Sequence, residues 1–256
     1  MSTGEGPRRS RPAGASLRVL RYGALGGCLV LAGFIAGLAV GRRSPRASVL
    51  PDLGPAPAYA LVNQLGRPVS SRRFAGKVQI VTFLFPYCTT FCPLIAAHLI
   101  GFERWLSLAG EENQVAVVAF NLAPEAAGPP QMRAFLGQYG WDPTDPNWQF
   151  LTGSQGEIRR VVTQGFHIAY QRVAGADSKS GIALEANEPP QLAVANPLAE
   201  KAKVDFDITH DDAIEIVDAK GRIRKIYDDG DVVSNDELWA AVRPLLAHEA
   251  GAPGPG

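Results

Sequence analysis

Two cysteines, Cys88 and Cys92, stand four residues apart, and Pro93 follows the second directly. They lie where a strand-like run gives way to a helical one, and a helix N-terminus favours the ionised form of a thiol. A thiol pair in that position has two standard uses, reversible disulfide exchange and the binding of a soft metal ion. In the exchange reaction one thiolate attacks a partner's disulfide and the other resolves the mixed disulfide. Cys92, at the helix start, is expected to be the more acidic thiol, while the order of attack stays open. Thr89, Thr90 and Phe91 separate the two sulfurs. This spacing suits two thiolates converging on one ion from a loop and a helix start.

For the metal-binding use a third donor has to come from elsewhere in the chain, and the four histidines are the candidates. Two thiolates and one imidazole can form a low-coordinate site for soft Cu(I), whereas structural zinc normally takes four ligands. No third cysteine or paired histidine spacing lies near Cys88 and Cys92. His98 is six residues beyond Cys92 on the expected helix, which places it around the helix in a surface or packing role. His167 alternates with Phe166 and Ile168 and should face away from the apolar side. His248 sits near the C-terminal end, where a contact with a helix dipole is its plausible use. His210 differs, because it precedes a strand within a Thr-His-Asp-Asp run. Both a structural role and a ligand role stand open for it on the residues alone.

The elements that must position these groups alternate along the chain. Val78 to Phe85 reads as a buried strand, Pro93 to Leu108 as a helix with Ile95, Leu99, Phe102 and Leu106 on one face, and Val115 to Phe120 as a second buried strand. Pro93 fits the first helical position, where its missing donor costs nothing. A helix is expected over Gln131 to Tyr139, with Met132, Phe135 and Leu136 inward. Strands are expected over Trp148 to Thr152 and, by alternation, through Phe166, Ile168 and Tyr170. Ser154 with Glu157, and Ser234 with Glu237, form capping-box patterns, the second opening a helix with Leu238, Val242 and Leu245 inward. Ala213 to Val217 and Arg222 to Tyr227 read as a hairpin turning at Gly221. Gln171 to Lys203 loses periodicity and is expected to be a surface insertion without assigned structure. The alternation predicts an α/β fold, a central mixed sheet flanked by helices, in the order of a thioredoxin-like domain.

Charge is divided unevenly along the 256 residues. Residues 1–46 carry eight arginines against Glu5, which leaves 17 basic and 24 acidic side chains, a net charge of −7, for the other 210 residues. No basic stripe is present, so nucleic-acid binding is not expected. Tyr22 to Gly41 holds no charged residue, and about 20 apolar residues of helix cross a bilayer core. The run is longer than a signal-peptide core, and Arg42 and Arg43 follow it, so an uncleaved N-terminal transmembrane helix is expected. Cys28 falls inside that span and is expected to be a packing residue. Five arginines before the span and three after it favour a cytoplasmic N-terminus and an exported domain. The expected organisation is a tail over 1–21, the anchor over 22–41, a Pro-rich linker over 42–57, the folded domain over 58–248 with its insertion at 171–203, and a tail over 249–256.

These motifs together resemble the Sco/SenC family, membrane-tethered thioredoxin-like proteins that serve assembly of the binuclear copper site of cytochrome c oxidase. Gly76-Lys77, then Phe83 to Pro93 with Tyr87 and the Cys-x-x-x-Cys-Pro run, resemble its first motif. Leu151-Thr152-Gly153 resembles its internal Leu-Thr-Gly. His210 ahead of the strand Ala213 to Val217, which Asp218 and Gly221 follow, resembles its late histidine. The chain departs from the family at Thr89-Thr90, where Pro-Asp is usual, and at Asn121-Leu122-Ala123-Pro124, where Val-Asp-Pro is usual. The resemblance implies a copper ion held by Cys88, Cys92 and His210. It also implies a copper-accepting membrane oxidase subunit and a thiol reductant as partners, and a single-pass membrane protein with its domain outside the cytoplasm. A thiol:disulfide oxidoreductase using the same two cysteines is the alternative.

Overall fold

The computed structural model describes residues 50–143, 145–174, 196–202 and 204–246. The expected membrane span at 22–41, both tails, Cys28, His248 and most of the 171–203 segment lie outside the described residues. Among the described residues no helix is long and apolar enough to cross a membrane.

In chain order the elements are β1 (Gly54–Pro55), β2 (Ala60–Asn63), β3 (Pro68–Ser70), β4 (Val78–Leu84), α1 (Phe91–Ala109), β5 (Val115–Asn121), α2 (Pro129–Gln138) and β6 (Trp148–Thr152). There follow α3 (Gln155–Arg159), which continues into a π turn over Arg160–Gly165, β7 (Tyr170–Ala174), α4 (Pro197–Lys201), β8 (Phe206–His210), β9 (Ile214–Val217), β10 (Arg222–Tyr227) and α5 (Asn235–Val242). One eight-stranded mixed sheet runs in the order β1-β10-β9-β4-β5-β6-β2-β3, and β7 pairs with β8 in a separate two-stranded ribbon. This is the expected α/β arrangement, a mixed sheet of thioredoxin-like type with helices against it.

The middle of the sheet is set by two apolar, largely β-branched runs. Every residue of β4 and β5 is buried, and the two pair in parallel from Val78 against Val115 to Leu84 against Asn121. Parallel strands covered on both faces need such continuous apolar sequence. β6 extends the parallel set beyond β5, and β9 pairs antiparallel on the other side of β4. Phe83, Phe120 and Phe166 meet with ring centroids 5.4–6.0 Å apart and fill the core on one face. Helix α1 buries Ile95, Leu99, Phe102 and Leu106, each side chain contributing about 1.5–3 kcal/mol by leaving water. It ends at Gly110, whose φ of 77° lets its N–H reach the carbonyls of Leu106 and Ser107. Pro93 is the third helical residue rather than the first. The first-turn amides have no intrahelical acceptor, so the missing donor is tolerated there equally.

Several elements differ from expectation. The segment read as a linker is folded from Leu50 onward: β1 pairs with β10, and Asp52 meets Arg222 at 2.8 Å. A register shift between Ile223 and Lys225 frees Arg224 to bond Asp218, the Pro51 carbonyl and the Leu50 carbonyl. The expected strand through Phe166 and Ile168 is absent. Both are buried as the alternation implied, but His167 takes φ 63° and the strand starts only at Tyr170. The 171–203 segment, to which the sequence assigns no element, supplies most of β7 and all of α4 at its two ends. Both capping boxes form as expected. In α5 Leu238 and Val242 point inward, whereas Leu245 is only partly buried, because the chain tightens into a 3₁₀ turn at Arg243 and buries Leu246 instead.

Candidate functional site

Strand β4 delivers the chain to the loop Phe85–Thr90, and α1 carries it away, so both thiols sit at the C-terminal edge of the parallel strands. Cys88 is 4% exposed and Cys92 is fully buried, and both are free thiols. The Phe85 N–H donates to Cys92 Sγ at 3.4 Å, and the Cys88 N–H donates to the Phe85 carbonyl at 3.0 Å. Cys88 Sγ lies 3.3 Å from Thr90 Oγ1 and accepts the Thr90 N–H at 3.5 Å.

These contacts split the acidities of the pair. A hydrogen bond from Cys92, set against burial, and then the two Thr90 donors bring Cys88 down to about 7. Burial, and then the neighbouring Cys88, push Cys92 well above the ordinary thiol range. The sequence expectation that Cys92 is the more acidic thiol is therefore reversed. Cys92 is at the helix start, but its depth in the core outweighs the dipole, and the donors converge on Cys88 instead.

The imidazole arrives from 118 positions later. His210 closes β8, opposite Tyr170 in the β7–β8 ribbon, and its Nε2 is 3.5 Å from Cys92 Sγ. Its Nδ1 is 2.8 Å from the Asp211 carbonyl, which can only accept, so Nδ1 carries the proton. In the neutral ring Nε2 then presents its lone pair towards Cys92 Sγ, and the single Cys92 S–H serves either that nitrogen or Cys88 Sγ, not both at once. Burial lowers the His210 pKa and favours that neutral, ligand-competent form. His210 stands ahead of β9 as expected, but as the last residue of β8 rather than within a turn. The other histidines stay apart: His98 bonds Asn235 at 2.7 Å and His167 is exposed. Among the described residues no group of three His, Cys, Asp or Glu side chains stands ready to hold a metal ion without rearrangement.

The ribbon is registered on the thiol loop by aromatic rings. Phe206 stacks on Phe85 at 5.7 Å, Phe85 meets Tyr87 edge-on at 5.7 Å, and Arg172 lies over Phe206 at 3.6 Å. The Tyr87 hydroxyl donates to the Ala126 carbonyl. That loop is in turn folded around buried Asn121, which donates to the Ala127 carbonyl and Thr152 Oγ1 and accepts from the Ala123 N–H. The run that departs from the family pattern thus has its own local solution.

Asn196 was missed in sequence. It lies in the segment to which the sequence assigns no element, and its amide donates to the carbonyls of Pro86 and Cys88. The signal was present in the dipeptide Asn196-Pro197, an N-cap followed by proline at the first helical position. The thiols do not line the cavity of about 670 Å³ at the far end of α1, whose walls include Glu103, Asp145, Trp141 and Trp148.

Comparison with known proteins identifies the family and the fold. Residues 53–186 match the SCO1/SenC family model. A SCO1 protein homolog of Bacillus subtilis (strain 168) is 32% identical over 120 residues, 46% of this chain; the match spans 60% of that relative's length. The copper-bound structure of ScoI from Bradyrhizobium japonicum superposes with a TM-score of 0.54 at 18% identity, covering 75% of this chain and 99% of that one. A structure of BsSco, a Sco-family cytochrome c oxidase assembly protein in which a disulfide switch is identified, gives a TM-score of 0.54 at 22% identity, covering 77% and 96%. At those identities the structural likenesses establish the fold. With the family model matched over more than half of its length, the chain belongs to the SCO1/SenC family.

Proposed function

We propose that this chain is a membrane-anchored copper-binding chaperone that delivers copper to a maturing site, that of cytochrome c oxidase. Cys88 and Cys92 hold the ion as thiolates, and His210 Nε2 completes the donor set. The observation that carries this reading is the imidazole lone pair aimed at Cys92 Sγ from 3.5 Å, with its tautomer fixed by the Asp211 carbonyl. A hydrogen bond to the far ring nitrogen is how ligating histidines are oriented. Copper is cargo here. The ion enters as the Cys92 proton leaves, and it passes by ligand exchange to the oxidase subunit that accepts it. The copper-bound state of the Bradyrhizobium japonicum relative supports copper as the ion. Tyr22 to Gly41 anchors the domain with its N-terminus in the cytoplasm and the thiols on the exported side, where a thiol reductant must keep them reduced.

The test is a Cu(I) titration of the reduced full-length chain against a chromophoric Cu(I) chelator, repeated with His210→Ala. The variant should lose at least about tenfold in affinity and change its coordination spectrum. An unchanged affinity and spectrum would sink the three-ligand assignment.

The divided acidity of the thiols favours a second activity at the same atoms, thiol:disulfide exchange on a partner's cysteines. Cys88 at about 7 is the nucleophile and buried Cys92 the resolving thiol. Alkylation of the reduced chain should therefore modify Cys88 first, with a midpoint near pH 7, and equal labelling of both thiols would remove this reading.

A further inference from the structure

Helix α1 begins without help from its own sequence. Thr90 occupies the cap position with φ −114° and ψ −100°, and its side chain makes no capping bond. The loop that carries Cys88 is secured from outside, by Asn196.

Asn196 is 2% exposed and uses both ends of its amide. Its Oδ1 accepts the N–H groups of Leu198 at 3.2 Å and Ala199 at 3.3 Å, which caps α4, and Gln138 Nε2 approaches the same oxygen at 3.3 Å from the end of α2. Its Nδ2 donates to the Pro86 carbonyl at 2.9 Å and the Cys88 carbonyl at 2.7 Å. Backbone amides only donate and backbone carbonyls only accept, so one orientation of the side-chain amide satisfies all four backbone contacts. The two carbonyls flank Tyr87 and lie either side of the peptide groups that set where Cys88 Sγ points. No other described side chain bonds both.

We propose that Asn196 is a positioning residue for the thiol pair. It touches neither sulfur; it holds the peptide groups at 86 and 88 against α4 and so fixes Cys88 beside Cys92. Residues 196–202 then have a defined task, to hold one amide against the loop. Where Cu(I) is concerned the proposal rests on the copper reading above. Disulfide formation between Cys88 and Cys92 depends on the same alignment and needs no copper.

Asn196→Asp and Asn196→Ser separate the clasp from the cap, since both keep an oxygen able to cap α4 and remove the amide donors. In the full-length chain, the Cys88–Cys92 dithiol is equilibrated with oxidised dithiothreitol. The protein thiols lose two protons and two electrons as their disulfide forms, and the reagent becomes the dithiol. Cu(I) affinity is read by competition with a chromophoric chelator. Both variants should shift the disulfide equilibrium towards the dithiol by about tenfold and weaken Cu(I) by a similar factor, while the sheet melts close to the wild-type temperature. Gln138→Ala, which leaves the Asn196 amide in place but removes one donor to its oxygen, should move both readouts in the same direction by less, and serves if the Asn196 variants misfold. A disulfide equilibrium unchanged in all folded variants overturns the proposal. A wild-type chain that binds no Cu(I) but whose variants still shift the disulfide equilibrium rejects the copper reading and retains the clasp.

Discussion

The two sulfurs and the imidazole are carried by regions of opposite character. The thiols hang from β4 and α1, in the most deeply buried part of the molecule, where all seven residues of β4 are covered. His210 ends a two-stranded ribbon whose residues are mostly half-buried or exposed, and whose Arg172–Asp205 ion pair at 3.6 Å lies in solvent. A two-stranded ribbon has little stability of its own, and an exposed ion pair adds little. It is held by the Phe206–Phe85 stack, buried Ile208 and the contact to Cys92. On the copper reading proposed above, the two sulfur donors are fixed and the nitrogen donor is on an arm, an arrangement that lets a site release its ion by moving one ligand while the fold stays intact.

The strongest way to break this contrast is to remove a fixed donor. Cys92→Ser should reduce Cu(I) affinity by roughly 100-fold or more, a larger loss than His210→Ala, because soft Cu(I) gains little from a hydroxyl. Equal losses from the two variants, read by the same chelator competition, would erase the distinction between core and arm.

A second prediction probes the core alone. Glu215, in the middle of β9, is fully buried, and neither of its oxygens has a hydrogen-bond partner among the described residues. Burial raises its carboxyl from 4.5 to about 8, so the folded protein keeps a proton that the unfolded chain releases. The folded pKa is the higher one, so stability is fully present below the unfolded value and falls as pH rises from about 4.5 to about 8. The loss should be a few kcal/mol. Glu215→Gln should flatten that slope in denaturant titrations at pH 5, 7 and 9, and a slope equal to wild type would contradict the assignment. Glu215 also shows that burial and a displaced pKa do not make a site. The thiols differ from it by having partners that converge.

Loosening the arm should have a smaller effect. Phe206→Ala removes the stack on Phe85 and the Arg172 contact, together about 1–2 kcal/mol, and should speed amide hydrogen exchange in β7 and β8 while leaving β4 and β5 protected. Arg172→Ala alone should cost about 0.5–1 kcal/mol by the same measurement. Equal protection of ribbon and central sheet in the wild-type chain would remove the basis for calling one of them an arm.

The same division governs how much was legible in sequence. β4, α1, β5 and β6 were readable because continuous burial leaves a dense apolar signal, and Cys88 and Cys92 are placed by that local pattern. The closing hairpin was readable from Gly221, which takes φ 76°. The ribbon was not. β7 finds its partner β8 across an intervening segment, its residues are largely solvated, and beyond Tyr170 nothing local announces a strand. His210 was named through the resemblance, while its approach to Cys92 depends on that long-range pairing. The inverted thiol acidities were hidden for a related reason. The helix start is visible in sequence, but the depth of Cys92 and the donors around Cys88 exist only after folding.

Each outermost strand of the large sheet contains a proline, Pro55 in β1 and Pro68 in β3. A proline offers no amide hydrogen, so neither border presents an unbroken row of donors to a neighbouring molecule. Copies of the domain crowded together are thereby discouraged from zipping into a continuous sheet.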